Sequence, residues 1–232
     1  MSVSPSLQII LSVIPNELTL REHPITMLIG VGLFASFLLI AFAKLIKSDV
    51  YGAMLLSLTK TTGLRAFTRE AYPVNKVDSL LLVLNYLFAT TTALLILFGL
   101  PKFQTELRMD YALFIPLGIL IWSLGSMYFT QLITGEKNVF VEPIIMKLVG
   151  AQFLGLLYFM LSLMWVLNSF DQNIFINIVL WAFIIESVLR LFKSISVVYL
   201  QGVSFYYIIL YFCTLEILPL IVAYYFIFGD FD

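Results

Sequence analysis

One cysteine and one histidine stand among 232 residues. Cys213 alone cannot close a disulfide within the chain, and a thiolate zinc centre needs several cysteines. His23 alone excludes a bis-histidine haem site and the HExxH helix of a metalloprotease. No metal site and no cofactor is therefore expected. Charge is scarce too. Only 12% of the residues are Asp, Glu, Lys or Arg, and the net charge is −1. Soluble domains carry about 25% charged residues, so this chain cannot clothe an ordinary surface in water. A net charge near zero leaves no electrostatic footprint for nucleic acid, and no such partner is expected.

What the chain has instead is apolar. Hydrophobic residues make up 61% of it and aromatic residues 16%, which also excludes a disordered chain. The class that fits is an all-α integral membrane protein, folded as one polytopic domain over 1–232. A helix crossing a hydrocarbon core of about 30 Å needs roughly 20 apolar residues. Six stretches qualify: Ile25 to Ile46, Ser79 to Leu100, Tyr111 to Ile133, Ile144 to Leu167, Ile174 to Phe192 and Val203 to Phe228. Ahead of them, Met1 to Ile14 lacks the basic start of a cleavable signal peptide. Leu7 to Ile14 reads as a short interfacial helix.

Lysine and arginine set the orientation. Ten of them (Lys44, Lys47, Lys60, Arg65, Arg69, Lys76, Lys137, Lys147, Arg190, Lys193) fall on one side, against three on the other (Arg21, Lys102, Arg108). The rich side is expected to be cytoplasmic, which places both termini in the periplasm. Six spans need both ends on one side, so count and bias agree. The cytoplasmic connections are then 47–78, 134–143 and 193–202. In the first of these, Tyr51, Met54, Leu55 and Leu58 follow the i, i+3, i+4, i+7 spacing of a short amphipathic helix. Gly63 breaks it, and a second turn follows around Leu64 and Phe67. Basic residues there suit an anionic membrane surface or simple packing beneath the bundle.

The candidate site is a set of polar residues inside the spans. A charge at mid-membrane costs about 2.5–3.5 kcal/mol on insertion scales, so it needs a partner or a task. Glu216 lies near the middle of the last span. Glu186 and Arg190 are four residues apart and share a helix face. Asn85 and Gln152 fall at depths close to Glu186, and Thr90, Thr91 and Thr92 extend the polar face of the second span. Pro219 cannot donate to the carbonyl of Leu215, and the resulting kink leaves that oxygen beside Glu216. Pro116 does the same to Ala112 in the third span. Two readings of these residues stay open. They are interhelical hydrogen-bond glue, or they line a pocket for a proton, ion or ligand. Gly32 with Ser36, and Ala151 with Gly155, are small-xxx-small pairs that let helices approach closely.

The last span reads Ser204-Phe205-Tyr206-Tyr207-Ile208-Ile209-Leu210-Tyr211-Phe212-Cys213-Thr214-Leu215-Glu216-Ile217-Leu218-Pro219-Leu220. This run resembles the C-terminal signature of a multi-span inner-membrane family of Bacteroidota described as a domain of unknown function. The resemblance implies a multi-pass protein of the bacterial inner membrane and cell envelope. It carries no activity, substrate or catalytic residue. With no GxSxG, no paired aspartates and no histidine in a span, catalysis is the least favoured function. The expected role is a non-catalytic subunit or scaffold of an envelope assembly, such as secretion or cell-surface machinery. Its partners would be membrane lipids and either other inner-membrane proteins or a second copy. The alternative is a small transporter or proton-coupled component using Glu216, Glu186 and Arg190.

Overall fold

A computed structural model describes residues 24–59, 76–98, 110–134, 141–168 and 172–200, together with Ile221. Among these residues the fold is all-helical. Six helices follow in order: α1 Pro24–Ile46, α2 Val50–Thr59, α3 Val77–Phe98, α4 Asp110–Thr134, α5 Val141–Asn168 and α6 Gln172–Leu200. Pro24 opens α1, where a missing N–H costs nothing. Asp78 and Glu142 sit in the first turns of α3 and α5, where negative charge meets the positive end of the helix dipole. Four helices are long and apolar enough to cross a membrane, through Met27–Ile46, Val77–Leu97, Val141–Asn168 and Ile174–Ser196. Helices suit that role because each satisfies its own backbone hydrogen bonds without water. The described apolar stretch of α4, Phe114–Phe129, is shorter than these four.

The helices α3 and α5 form the centre. α3 packs against α1, α4 and α5, and α5 packs against α2 and α6 as well. Directions follow from the joints. A Cβ on Gly32 of α1 would meet Thr92 of α3, while Ala43 and Leu82 share one cluster, so α1 and α3 are antiparallel. Gln152 reaches Ser79 and Gly155 touches Tyr86, so α3 and α5 are parallel. Tyr158 lies against Val179, and the Trp165 and Phe175 rings are 6.0 Å apart, so α5 and α6 are antiparallel. That alternation is what a chain threading back and forth across a slab produces. One end of the bundle, where α1 finishes and α3 begins, gathers Lys44, Lys47, Lys76, Lys147, Arg190 and Lys193. This is the lysine end of the bundle.

The main core joins Tyr86, Ala89, Ala93 and Ile96 of α3 to Ala151, Leu154, Tyr158 and Phe159 of α5 and Phe175 of α6. A second cluster at the lysine end seats α2 under the bundle through Val50, Ala53 and Met54 against Ala43, Leu82 and Val149. Outside, large apolar side chains are bare: Phe34 and Leu45 on α1, Trp122 and Phe129 on α4, Trp181, Leu189 and Phe192 on α6. A surface like this is unfavourable in water and natural against lipid.

Several sequence expectations shift. The first five predicted spans each coincide with a helix. The fifth, expected to end at Phe192, continues to Leu200. Hydropathy marks where the apolar stretch stops, and not where the backbone stops being helical. Ser196, inside that extension, bonds back to the carbonyl of Phe192 at 2.8 Å. The short helix after the first span is present, but its phase differs. The buried stripe is Val50, Ala53, Met54 and Ser57, and Leu55 is half exposed. Tyr51 is held to the side, its hydroxyl donating to the carbonyl of Ile40 at 2.7 Å. The predicted sixth span lies outside the described residues, with Glu216, Pro219 and Cys213. So do Leu7 to Ile14, His23, and Leu64 and Phe67.

Candidate functional site

The structure places four of the expected site residues, and it divides them among separate joints. Gln152 is fully buried on α5. Its amide nitrogen donates to the Ser79 carbonyl at 3.0 Å and to the Ser79 hydroxyl at 2.7 Å. That is a clamp on the first turn of α3, where the local sequence supplies a serine and a fully buried amide comes from the neighbouring helix. Seventy-three residues separate the two partners, so no local pattern announces it.

Glu186 and Arg190 form the i,i+4 pair, with Arg190 Nη1 at 3.4 Å from Glu186 Oε1. Both are largely sheltered on the inner face of α6. Gly150 of α5 makes room for the carboxylate: a Cβ there would run into Glu186 Oε1. This joint therefore ties α5 and α6 together at one level of the bundle.

Asn85 is elsewhere. It is fully buried, and neither of its amide atoms has a hydrogen-bond partner. Adjacent residues on a helix point about 100° apart. Tyr86 lies against Gly155 of α5, and Asn85 stands one turn beyond Leu82, which packs among Ala43 of α1, Val50, Ala53 and Met54 of α2 and Val149 of α5. Glu216, on which the glue and pocket readings both bear, lies outside the described residues.

Three further groups escaped the sequence reading. Asp78 is 2% exposed, and both carboxylate oxygens lack a hydrogen-bond partner. It stands one residue ahead of the predicted span and so falls outside the stretch where intramembrane polar groups are expected. Lys147 is buried on α5, although it counted only toward charge asymmetry. Lys193 was assigned to a loop, yet it sits on the continued α6, its ammonium buried and without a hydrogen-bond partner. A buried polar group left unmatched costs about 1–3 kcal/mol, so Asp78 and Lys193 are the positions where a ligand or partner is worth most. The signal that could have found Lys193 is periodicity. Glu186, Arg190 and Lys193 are spaced i, i+4, i+7.

Among the described residues no group of three or more His, Cys, Asp or Glu could hold a metal ion. The arrangement offers hydrogen bonds and charges that lock helices together.

With this geometry in place, the comparison with protein families is direct. Residues 29–227 match the family described as Domain of unknown function (DUF4271), and the chain belongs to that family. No match was found among curated proteins or solved structures.

Proposed function

We propose that this family member is a non-catalytic, multi-pass subunit or scaffold of the bacterial inner membrane, working within a cell-envelope assembly. Six spans with both termini in the periplasm are part of the proposal, supported by the ten-to-three distribution of lysine and arginine. The observation that carries the role is the way polar residues are used. Gln152 clamps Ser79, and the Glu186–Arg190 pair nests on Gly150. Such contacts fix helix positions, which is what a scaffold must do in lipid, where no hydrophobic force drives helices together.

A second reading keeps the transporter or proton-coupled component, using Glu216, Glu186 and Arg190. Asp78 and Asn85 favour it, since buried polar groups without partners are rare in a purely structural bundle. Extraction from native membranes in mild detergent separates the two. A subunit arrives with stoichiometric protein partners, and Glu216→Gln and Glu186→Gln leave their recovery unchanged. Recovery without partners, with loss of cellular function in Glu216→Gln and retention in Glu216→Asp, refutes the scaffold and supports the second reading.

A further inference from the structure

The inner face of α6 changes character along its length. From Phe175 through Val179 to Phe183 it is apolar and packs into the main core. From Glu186 onward it carries Glu186, Ser187, Arg190, Lys193 and Ser194. At 100° per residue these five fall within a sector of about 120°. Two cations and one carboxylate share that sector. Arg190 answers Glu186, which leaves the charge of Lys193 over. The Lys193 ammonium is buried with no hydrogen-bond partner. Ser187 is 2% exposed, and its hydroxyl is also without a partner. Ser194 is buried beside them. The ammonium, the guanidinium and the Ser194 hydroxyl, which stand within about one turn on that sector, make a donor set for a tetrahedral oxyanion.

Depth says which one. The apolar stretch of α6 ends at Ser196, and Lys193 stands about 4.5 Å short of that end. That is just inside the margin of the span, next to the headgroup region and far from the hydrocarbon centre. The neighbours Leu189 and Phe192 are bare on the outer face, so acyl chains have a surface beside the site. Lys193 itself is half-buried, and its four-carbon stem can carry the ammonium to that margin. The charge to be matched is one. A phosphodiester headgroup without an amine supplies it, whereas a zwitterionic headgroup brings a cation of its own.

We propose that Lys193, with Arg190 and Ser194, holds the phosphate of one anionic phospholipid at the lysine end of α6. The site is independent of whether the protein is a scaffold or a transporter. The test titrates the full-length protein in mild detergent with phosphatidylglycerol and with phosphatidylcholine, counting bound lipid by native mass spectrometry. One phosphatidylglycerol per chain should survive conditions that strip phosphatidylcholine. Lys193→Ala should weaken it about fivefold, the value of one basic residue at an anionic surface, and Lys193→Arg should keep it. Lys193→Met retains the stem should the alanine variant fail to fold, and it should show the same loss. Inorganic phosphate in millimolar amounts should not displace the lipid. Equal retention of the two lipids would overturn the proposal. Displacement by inorganic phosphate would do so too, by marking a free-anion site. So would a loss of thermal stability in Lys193→Met that Glu216→Gln restores, because the ammonium would then belong to Glu216.

Discussion

Gly155→Ala should separate the two central helices. A Cβ on Gly155 would lie 2.6 Å from the Tyr86 Cα and 2.8 Å from its backbone nitrogen, where ordinary contact begins at 3.4 Å. The obstacle is backbone, so no rotamer change relieves it. α3 must move by about 0.8 Å relative to α5, the difference between 3.4 and 2.6 Å. Such a shift loosens Leu154, Tyr158 and Ile96 and strains the Gln152–Ser79 clamp. Overpacking of this kind costs about 1–3 kcal/mol. The assay is thermal unfolding in detergent, followed by tryptophan fluorescence, with internal controls. Gly30→Ala, Gly118→Ala and Gly125→Ala meet nothing within 4 Å and should be neutral, or gain up to about 1 kcal/mol from helix propensity. Gly150→Ala meets first the carboxylate end of Glu186, a flexible side chain, and should fall between. Stability of Gly155→Ala equal to that of Gly30→Ala would refute the close approach of α3 and α5.

The other expectations concern polar joints. Gln152→Met keeps the volume and loses two hydrogen bonds, so it should cost about 1–2 kcal/mol, while Ser79→Ala should cost less because the carbonyl acceptor survives. Removing Arg190 alone should destabilise more than removing Arg190 and Glu186 together, since the single change strands a sheltered carboxylate; equal damage in thermal unfolding would count against the pair. Tyr51→Phe should loosen the corner between α1 and α2 by deleting the bond to Ile40, read as faster amide exchange in α2. Burial raises the Tyr51 hydroxyl above its ordinary value of 10.0. The unfolded chain thus releases that proton first, so the corner's stability is full below about pH 10 and is lost as pH rises further. A corner whose exchange rate in the wild type, relative to Tyr51→Phe, is unchanged between about pH 9 and about pH 11 would contradict this.

The sequence carried most of the architecture because each buried helix had to be nearly uniform in character. Ile25 to Ile46 and Ser79 to Leu100 stand out against polar flanks, and their helices begin and end within about two residues of those limits. The small residues were legible for a related reason. Gly32 and Gly155 are spaced one turn from Ser36 and Ala151, and both prove to be points of close approach. The site was less legible. Glu186 and Arg190 lie one turn apart on one helix, so spacing alone brings them together. Gln152 and Ser79 come from different helices, and only their relative translation makes the bond. Asn85 is buried as depth predicted, yet it forms no hydrogen bond. Depth is a single coordinate, and the rotation that sorts residues to faces is set by packing. Lys193 was misplaced because its charge ended the hydropathy signal while the helix continued.

Every depth and every side assigned above depends on which end of the bundle faces the cytoplasm. The direct measurement uses single cysteines, Thr62→Cys between the first two predicted spans and Asp230→Cys beyond the last, each in a Cys213→Ser background. An impermeant maleimide applied to intact spheroplasts should label position 230 and should reach 62 only after permeabilisation. Labelling of 62 in intact spheroplasts, or protection of 230, would contradict the orientation and with it the cytoplasmic placing of the lysine end.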